Sequence, residues 1–198
     1  EVIEKAKGSP QARMIGTMML RSLQKARYSF EHGHHFGLAA GYYSHFTSPI
    51  RRYPDLIIHR IMKEYIKGIF DEKRNEHYSE ILPEIAKRCS QREQNAEEAE
   101  RDCENMKKAE YMKDYIGEVF PGIISNITSF GMFVELDNTV EGLVRLSSME
   151  DDYYNYDETQ YCLVGERTRK TYRIGDMVKV LVAKSSPETR QIDFVLAD

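Results

Sequence analysis

GEVFPGIISNITSFGMFVELDNTVEGLVRLSSM, residues 117–149, decides the fold class of the second half of the chain. Through Phe130, Met132, Val134 and Leu136 it alternates with period two, the pattern of a half-buried strand. Val119, Ile123 and Ile127 precede this run. Val178, Val180 and Val182, then Ile192, Phe194 and Leu196, repeat it further on. Gly122, Gly131, Gly142, Gly165 and Gly175 punctuate the runs. Several short strands so spaced, within about 80 residues, predict a small antiparallel barrel.

Upstream the period is helical, and the change falls near residue 115. Ser9-Pro10 is a helix start, with Ser as cap and Pro at the first helical position; Ile15, Met18, Met19, Leu23 and Ala26 follow at helical spacing. Gly33, Gly37 and Gly41 break that pattern, so residues 31–54 read as irregular, ending in Thr47-Ser48-Pro49 and Pro54. Pro54-Asp55 opens a second helix, lined by Leu56, Ile57, Ile61, Tyr65 and Ile66, with Gly68 near its end. A shorter helix is predicted over 76–89. Ser90-Gln91-Arg92-Glu93 reads as a capping box opening another that runs to about Tyr115. The narrow stripe Ala96, Ala99, Cys103, Met106, Ala109 predicts packing of that helix along one seam.

Composition narrows the function classes. The 198 residues hold 41% hydrophobic and 30% charged side chains, too apolar for a disordered chain. No apolar run is long enough for a membrane-spanning helix, so no membrane partner is expected. Cys89, Cys103 and Cys162 form no CxxC pair, which points to a reducing cytoplasm and away from a disulfide framework or zinc site. The chain begins with Glu1 and not Met, and is expected to be a piece of a longer protein. The net charge of −4 divides unevenly: residues 1–113 hold 20 basic and 17 acidic side chains, residues 114–198 hold 8 and 15. A uniformly basic nucleic-acid binder is excluded, and any such role must rest on local patches.

Two segments carry candidate chemistry. On the barrel, Phe120, Phe130 and Phe133 could stack on unpaired bases, with Arg145, Lys184 and Arg190 on phosphates. Alternation leaves equally open the reading in which these rings fill the barrel interior. Residues 149–176 place Glu150, Asp151, Asp152, Asp157 and Glu158 ahead of Arg167, Arg169, Lys170 and Arg173. They read as a solvated acidic loop, then a basic hairpin near the barrel mouth that could track a phosphate backbone. In residues 45–65, HFTSPIRRYPDLIIHRIMKEY, the adjacent Arg51 and Arg52 lie on a loop constrained by Pro49 and Pro54. A planar guanidinium held beside a helix N-terminus suits phosphate oxygens. A structural Arg–carboxylate pair with Asp55 is the bland alternative. His32, His34 and His35 lack the helical spacing of a metal site, and His59 reads as packed or exposed.

SFGMFVEL followed by EGLVRLS resembles the ribosomal-protein-S-one type of RNA-binding OB-fold over residues 116–198. The resemblance implies that Phe130 and Phe133 line the RNA face and points to the positions of Arg145 and Arg190. The chain departs from it at Arg145, where the family most often has His, and at Lys184, where Asp is frequent; both changes add positive charge. FTSPIRRYPDLIIHR, with TMMLRSLQKARYSFEHGHHFGLAAGYYSHF before it and AERDCENMKKAEYM after it, resembles the end of the RNB domain of processive 3′→5′ exoribonucleases.

That resemblance implies an α+β chain: residues 1–115 as the helical end of an RNB catalytic domain, and residues 116–198 as a five-stranded antiparallel OB-fold barrel. It implies Mg²⁺ in the whole enzyme, on aspartates for which this chain has no match, and hydrolysis of single-stranded RNA to nucleoside 5′-monophosphates. Arg51 takes the scissile phosphate in this reading, and Arg52 contacts the RNA backbone or supports the loop. The chain alone is expected to bind RNA without hydrolysing it, as a monomer. A non-catalytic RNA-binding adaptor is the alternative, and a protein–protein module that never meets RNA a third.

Overall fold

The computed structural model describes residues 25–197 together with Gly16, Met19, Leu20, Ser22 and Leu23. The helix start at Ser9-Pro10, with Ile15 and Met18, lies outside the described residues. The chain divides into two compact units, residues 25–99 and residues 100–198 with 1–24.

In the first unit, residues 31–52 are irregular apart from one 3-10 turn, Phe36–Leu38. Helix α1, Tyr53–Ile66, takes Pro54 into its first turn, where a missing N–H leaves no hydrogen bond unmade. Beyond its end Gly68 adopts φ +69°, a conformation open to glycine. Helix α2 runs unbroken from Glu72 to Met112, so the two helices expected over 76–89 and from Ser90 are one. The Ser-x-x-Glu spacing misled because it also occurs inside helices. Here the Ser90 hydroxyl donates to the Ala86 carbonyl at 2.9 Å and accepts the Tyr28 amide at 2.9 Å. Arg74 ties α2 to α1 through a two-pronged contact with Glu64 (2.9 and 2.6 Å), and the Tyr78 hydroxyl donates to the same carboxylate at 3.0 Å. The expected seam is also shorter than the stripe. Ala96, Ala99 and Cys103 are exposed, and burial begins at Met106. Alanines offer too little apolar area to hold a helix against a partner.

The second unit is built on a closed barrel of β1 (Val119–Thr128), β2 (Gly131–Leu136), β3 (Glu141–Arg145), β7 (Met177–Ser186) and β8 (Gln191–Leu196), in the order β1-β2-β3-β8-β7. Alternation puts Ile124, Ile127, Met132, Val134, Val144, Val180, Val182 and Phe194 inside. The last turns of α2 close one end: Ala109 and Met112 are fully buried in the same core, and the Ser185 hydroxyl donates to the Ala109 carbonyl at 2.6 Å. The barrel is not wholly antiparallel as expected, because β3 and β8 run parallel. A closed ring with an odd number of strands cannot alternate direction at every seam, so one pair must match.

Residues 149–176 form a three-stranded antiparallel meander: β4 (Tyr154–Asp157), β5 (Cys162–Gly165) and β6 (Thr171–Arg173). The basic group does lie on a hairpin, the β5–β6 turn, whereas the acidic stretch is a loop only as far as Tyr153 and then enters β4, which was not expected. Tyr154, Leu163 and Tyr172 anchor the meander in the core cluster.

Gly131 explains the spacing of the quoted motif. A Cβ there would lie 2.3 Å from the Val144 carbonyl oxygen of the neighbouring strand, a backbone atom with nowhere to move. Gly131→Ala is expected to destabilise the barrel by roughly 1–3 kcal/mol, read as a lowered urea midpoint; an unchanged midpoint would refute the tight seam.

Candidate nucleic-acid interface and arginine loop

The two arginines of the Pro49–Pro54 loop have different surroundings. Asp55, in the first turn of α1, is fully buried. Its Oδ1 accepts the Ser48 amide at 2.7 Å and Arg52 Nη2 at 2.8 Å. Burial alone would raise the Asp55 carboxyl, but the Ser48 amide and the Arg52 guanidinium overcome it and hold it below the usual carboxylate range. Arg52, 19% exposed, is committed to this pair, and its backbone amide also donates to the Ser48 carbonyl at 3.0 Å. Its surroundings are those of loop support, the second of the roles expected for it, more than those of a contact with RNA. Arg51 is exposed, and its guanidinium has no partner among the described residues. The bland pairing with Asp55 therefore belongs to Arg52 and leaves Arg51 available.

On the barrel, cross-strand register brings several expected residues together. Asn126, Phe133, Leu143, Asp193 and Lys184 stand opposite one another across β1, β2, β3, β8 and β7. Their neighbours Ile127, Met132, Val144 and Phe194 point inward, so this row faces outward. Phe130, 55% exposed in the turn before β2, meets Phe133 edge to face with ring centroids 6.2 Å apart. Arg145 lies opposite Gly131 and reaches Asp193 at 3.1 Å. The outer face thus carries the Phe130–Phe133 ring pair, the Arg145–Asp193 ion pair and, opposite Asp193 on β7, Lys184.

Two expected residues lie elsewhere. Phe120 pairs with the buried Val180, packs against the core and meets Tyr115 at 5.9 Å. Phe120 is thus partly buried against the core, on the inward side of β1. Arg190 occupies the β7–β8 turn at φ +59° and ion-pairs with Asp102 of α2, at the barrel end opposite Phe130. Asn126, Leu143 and Asp193 are the members of the outer row that sequence reasoning missed, and Asp193 is the charged one among them. Its signal was its place between Ile192 and Phe194, where alternation must turn it outward.

The remaining candidates have local partners. His59 stacks on Phe46 at 4.3 Å and hydrogen-bonds the Phe46 carbonyl, and His45 meets the Tyr28 hydroxyl at 3.0 Å. His32 bonds the Gly41 carbonyl and contacts the Tyr42 ring, while His35 contacts Tyr43. Among the described residues no group of three His, Cys, Asp or Glu is placed to hold a metal ion.

The family model of the RNB domain matches residues 1–68, and that of the S1 RNA binding domain matches residues 113–196. Ribonuclease R 1 of Lactococcus lactis is 48% identical over 97% of this chain and 24% of its own length. Ribonuclease R of Thermotoga maritima is 46% identical over 100% of this chain and 28% of its own. The chain thus spans about a quarter of the length of these relatives. Among solved structures, Mycoplasma genitalium RNase R in complex with ribose methylated single-stranded RNA superposes with a TM-score of 0.88 at 30% identity, over 98% of this chain and 31% of that one. No helix among the described residues is long and apolar enough to cross a membrane.

Proposed function

We propose that this chain, which matches the RNB and S1 RNA binding domain models and is 46–48% identical to ribonucleases R along almost its whole length, is part of a processive 3′→5′ exoribonuclease that hydrolyses single-stranded RNA to nucleoside 5′-monophosphates. Arg51 is the catalytic residue in this reading: its guanidinium fork takes the oxygens of the scissile phosphate and stabilises the charge that develops there. Arg52 is a positioning residue, fixing the loop through buried Asp55. One observation carries the reading. Of two adjacent arginines, one is tied to a buried carboxylate and the other is exposed without a partner among the described residues.

The family resemblance implies Mg²⁺, which would supply an activated water. The residues described here do not fit that ion. No three donors converge among them; Asp55 Oδ1 is taken by Ser48 and Arg52, and its buried Oδ2 lacks the two further carboxylate, His or Cys donors that would complete a metal site. In this reading the ion is held by carboxylates other than these.

The barrel's outer row holds the RNA strand in this reading, with Phe130 and Phe133 stacking on bases and Arg145 and Lys184 on phosphates. The working protein is a cytoplasmic monomer. Phe130→Ala with Phe133→Ala is expected to weaken retention of oligo(U) by at least about tenfold, since stacking contributes about 1–3 kcal/mol per base. Unchanged retention by a variant that still melts cooperatively would remove RNA from this face.

A further inference from the structure

The meander β4–β6 takes no part in the reading above. It leaves the barrel at the Phe130–Arg145 end, where the Leu146 amide donates to the Phe130 carbonyl at 3.1 Å. At its tip, residues 166–170 form a turn clamped by one carboxylate. Asp152 accepts the Arg167 amide (3.2 and 3.1 Å), the Thr168 amide (2.6 Å) and the Thr168 hydroxyl (2.6 Å). Gly165 completes the clamp, since a Cβ there would lie 2.7 Å from Asp152 Oδ2. The Asp152 charge is thereby absorbed by the turn's own donors, the Thr168 hydroxyl first, and its carboxyl is held well below the usual range. Asp151 is likewise engaged, by the Tyr154 hydroxyl at 2.9 Å and Lys170 at 3.5 Å. Glu150 and Glu166 are exposed acids of the same region.

The Tyr153 amide donates to Asp152 at 2.8 Å, but the side chains of Arg169 and Tyr153 lie outside these bonds. Arg169 is exposed at φ +58°, where a Cβ strains the backbone and glycine would not. Its guanidinium has no partner among the described residues. Tyr153 is 84% exposed beside the turn, with its carbonyl accepting the Glu166 amide at 2.8 Å. Arg167 adds a third group, one Nη of which donates to the Asp151 carbonyl.

We propose that this turn is a second RNA contact, in which Arg169 and Arg167 hold a backbone phosphate and Tyr153 stacks on an unpaired base, continuing the path from the Phe130–Arg145 end of the barrel. A cation and an aromatic ring on a clamped turn lose little freedom on binding, and together match a single-stranded backbone with splayed bases. The proposal rests on the reading of the barrel as an RNA binder.

Arg169→Gly tests it cleanly, because the variant removes the charge and relieves the backbone. Its melting temperature should be unchanged or higher. Its affinity for oligo(U) should fall about fivefold at 0.1 M monovalent salt, with the log–log salt slope shallower by about 0.7, the contribution of one phosphate contact on a single strand. Tyr153→Ala should weaken binding further without changing that slope. If Phe130→Ala with Phe133→Ala weakens binding while Arg169→Gly and Tyr153→Ala leave affinity and slope unaltered, the second contact is overturned and the barrel reading stands. If all of these variants bind as the parent does, the barrel reading itself has failed.

Discussion

Arg51→Ala, made in the full-length enzyme, is expected to lower turnover about 100- to 1000-fold while changing single-stranded RNA affinity only a few-fold. The magnitude is that of removing one preorganised donor from the site where charge develops. The asymmetry follows from the geometry. The loop is held between two prolines and by Asp55 whether or not Arg51 is present, so the variant should leave the fold and the proposed RNA face of the barrel intact. An arginine at the reacting phosphate acts most strongly in the transition state, which places its loss in kcat. Single-turnover rates, measured beside equilibrium binding, read the two terms separately. Equal losses in both would move Arg51 to ground-state binding, and no loss in either would sink its assignment. Arg51→Lys should recover only part of the rate, because an ammonium keeps the charge but not the two-pronged fork.

Asp55→Ala is expected to destabilise the unit that contains it by about 3–5 kcal/mol, the cost of leaving a largely buried guanidinium without its counter-charge. Arg52 is 19% exposed and Asp55 is fully buried, so solvent screens the pair little. The loss of the Ser48 amide's acceptor adds to the effect. Turnover should fall as well, since the loop that presents Arg51 loses its anchor. The pH dependence has a definite sign. The folded carboxyl sits below its unfolded value of about 3.9, so its contribution is complete above that pH and is lost as pH falls through the folded pKa. Melting curves from neutral pH downward should converge for the parent and Asp55→Ala in acid. A constant gap between them at every pH would show that the carboxylate's charge is not what stabilises the loop.

Much of this architecture was legible along the chain. Period-two alternation from Met132 to Leu136 and from Val178 to Val182 reports which side chains face inward, because the pleat itself has that period; Phe130, one step earlier in the same pattern, lies in the turn and is exposed. Pro54 and Gly68 bracket α1 for equally local reasons, a missing N–H at one end and a positive φ at the other. Local signals failed where long-range packing overrode them. Ser90 and Glu93 match a capping box, yet Ser90 meets the amide of Tyr28, 62 positions away in sequence, inside an unbroken helix. Phe120 and Phe130 are both aromatic and both near glycines, and no pattern along the chain separates the ring packed on Tyr115 from the ring left exposed.

Periodicity, turn residues and motif spacing are properties of neighbouring positions, and they suffice for the helical and β halves, the motif at Arg51-Arg52 and the family resemblance. Only the tertiary structure decided how the arginines differ, since Asp55 could have paired with either and its burial chose Arg52. Likewise it was the closure of the barrel that set Asp193 between Arg145 and Lys184, drew Arg190 away to Asp102, and made one strand pair parallel. These outcomes depend on register between strands distant in sequence, where a shift of one residue reverses every side chain's direction, and no local pattern records that choice.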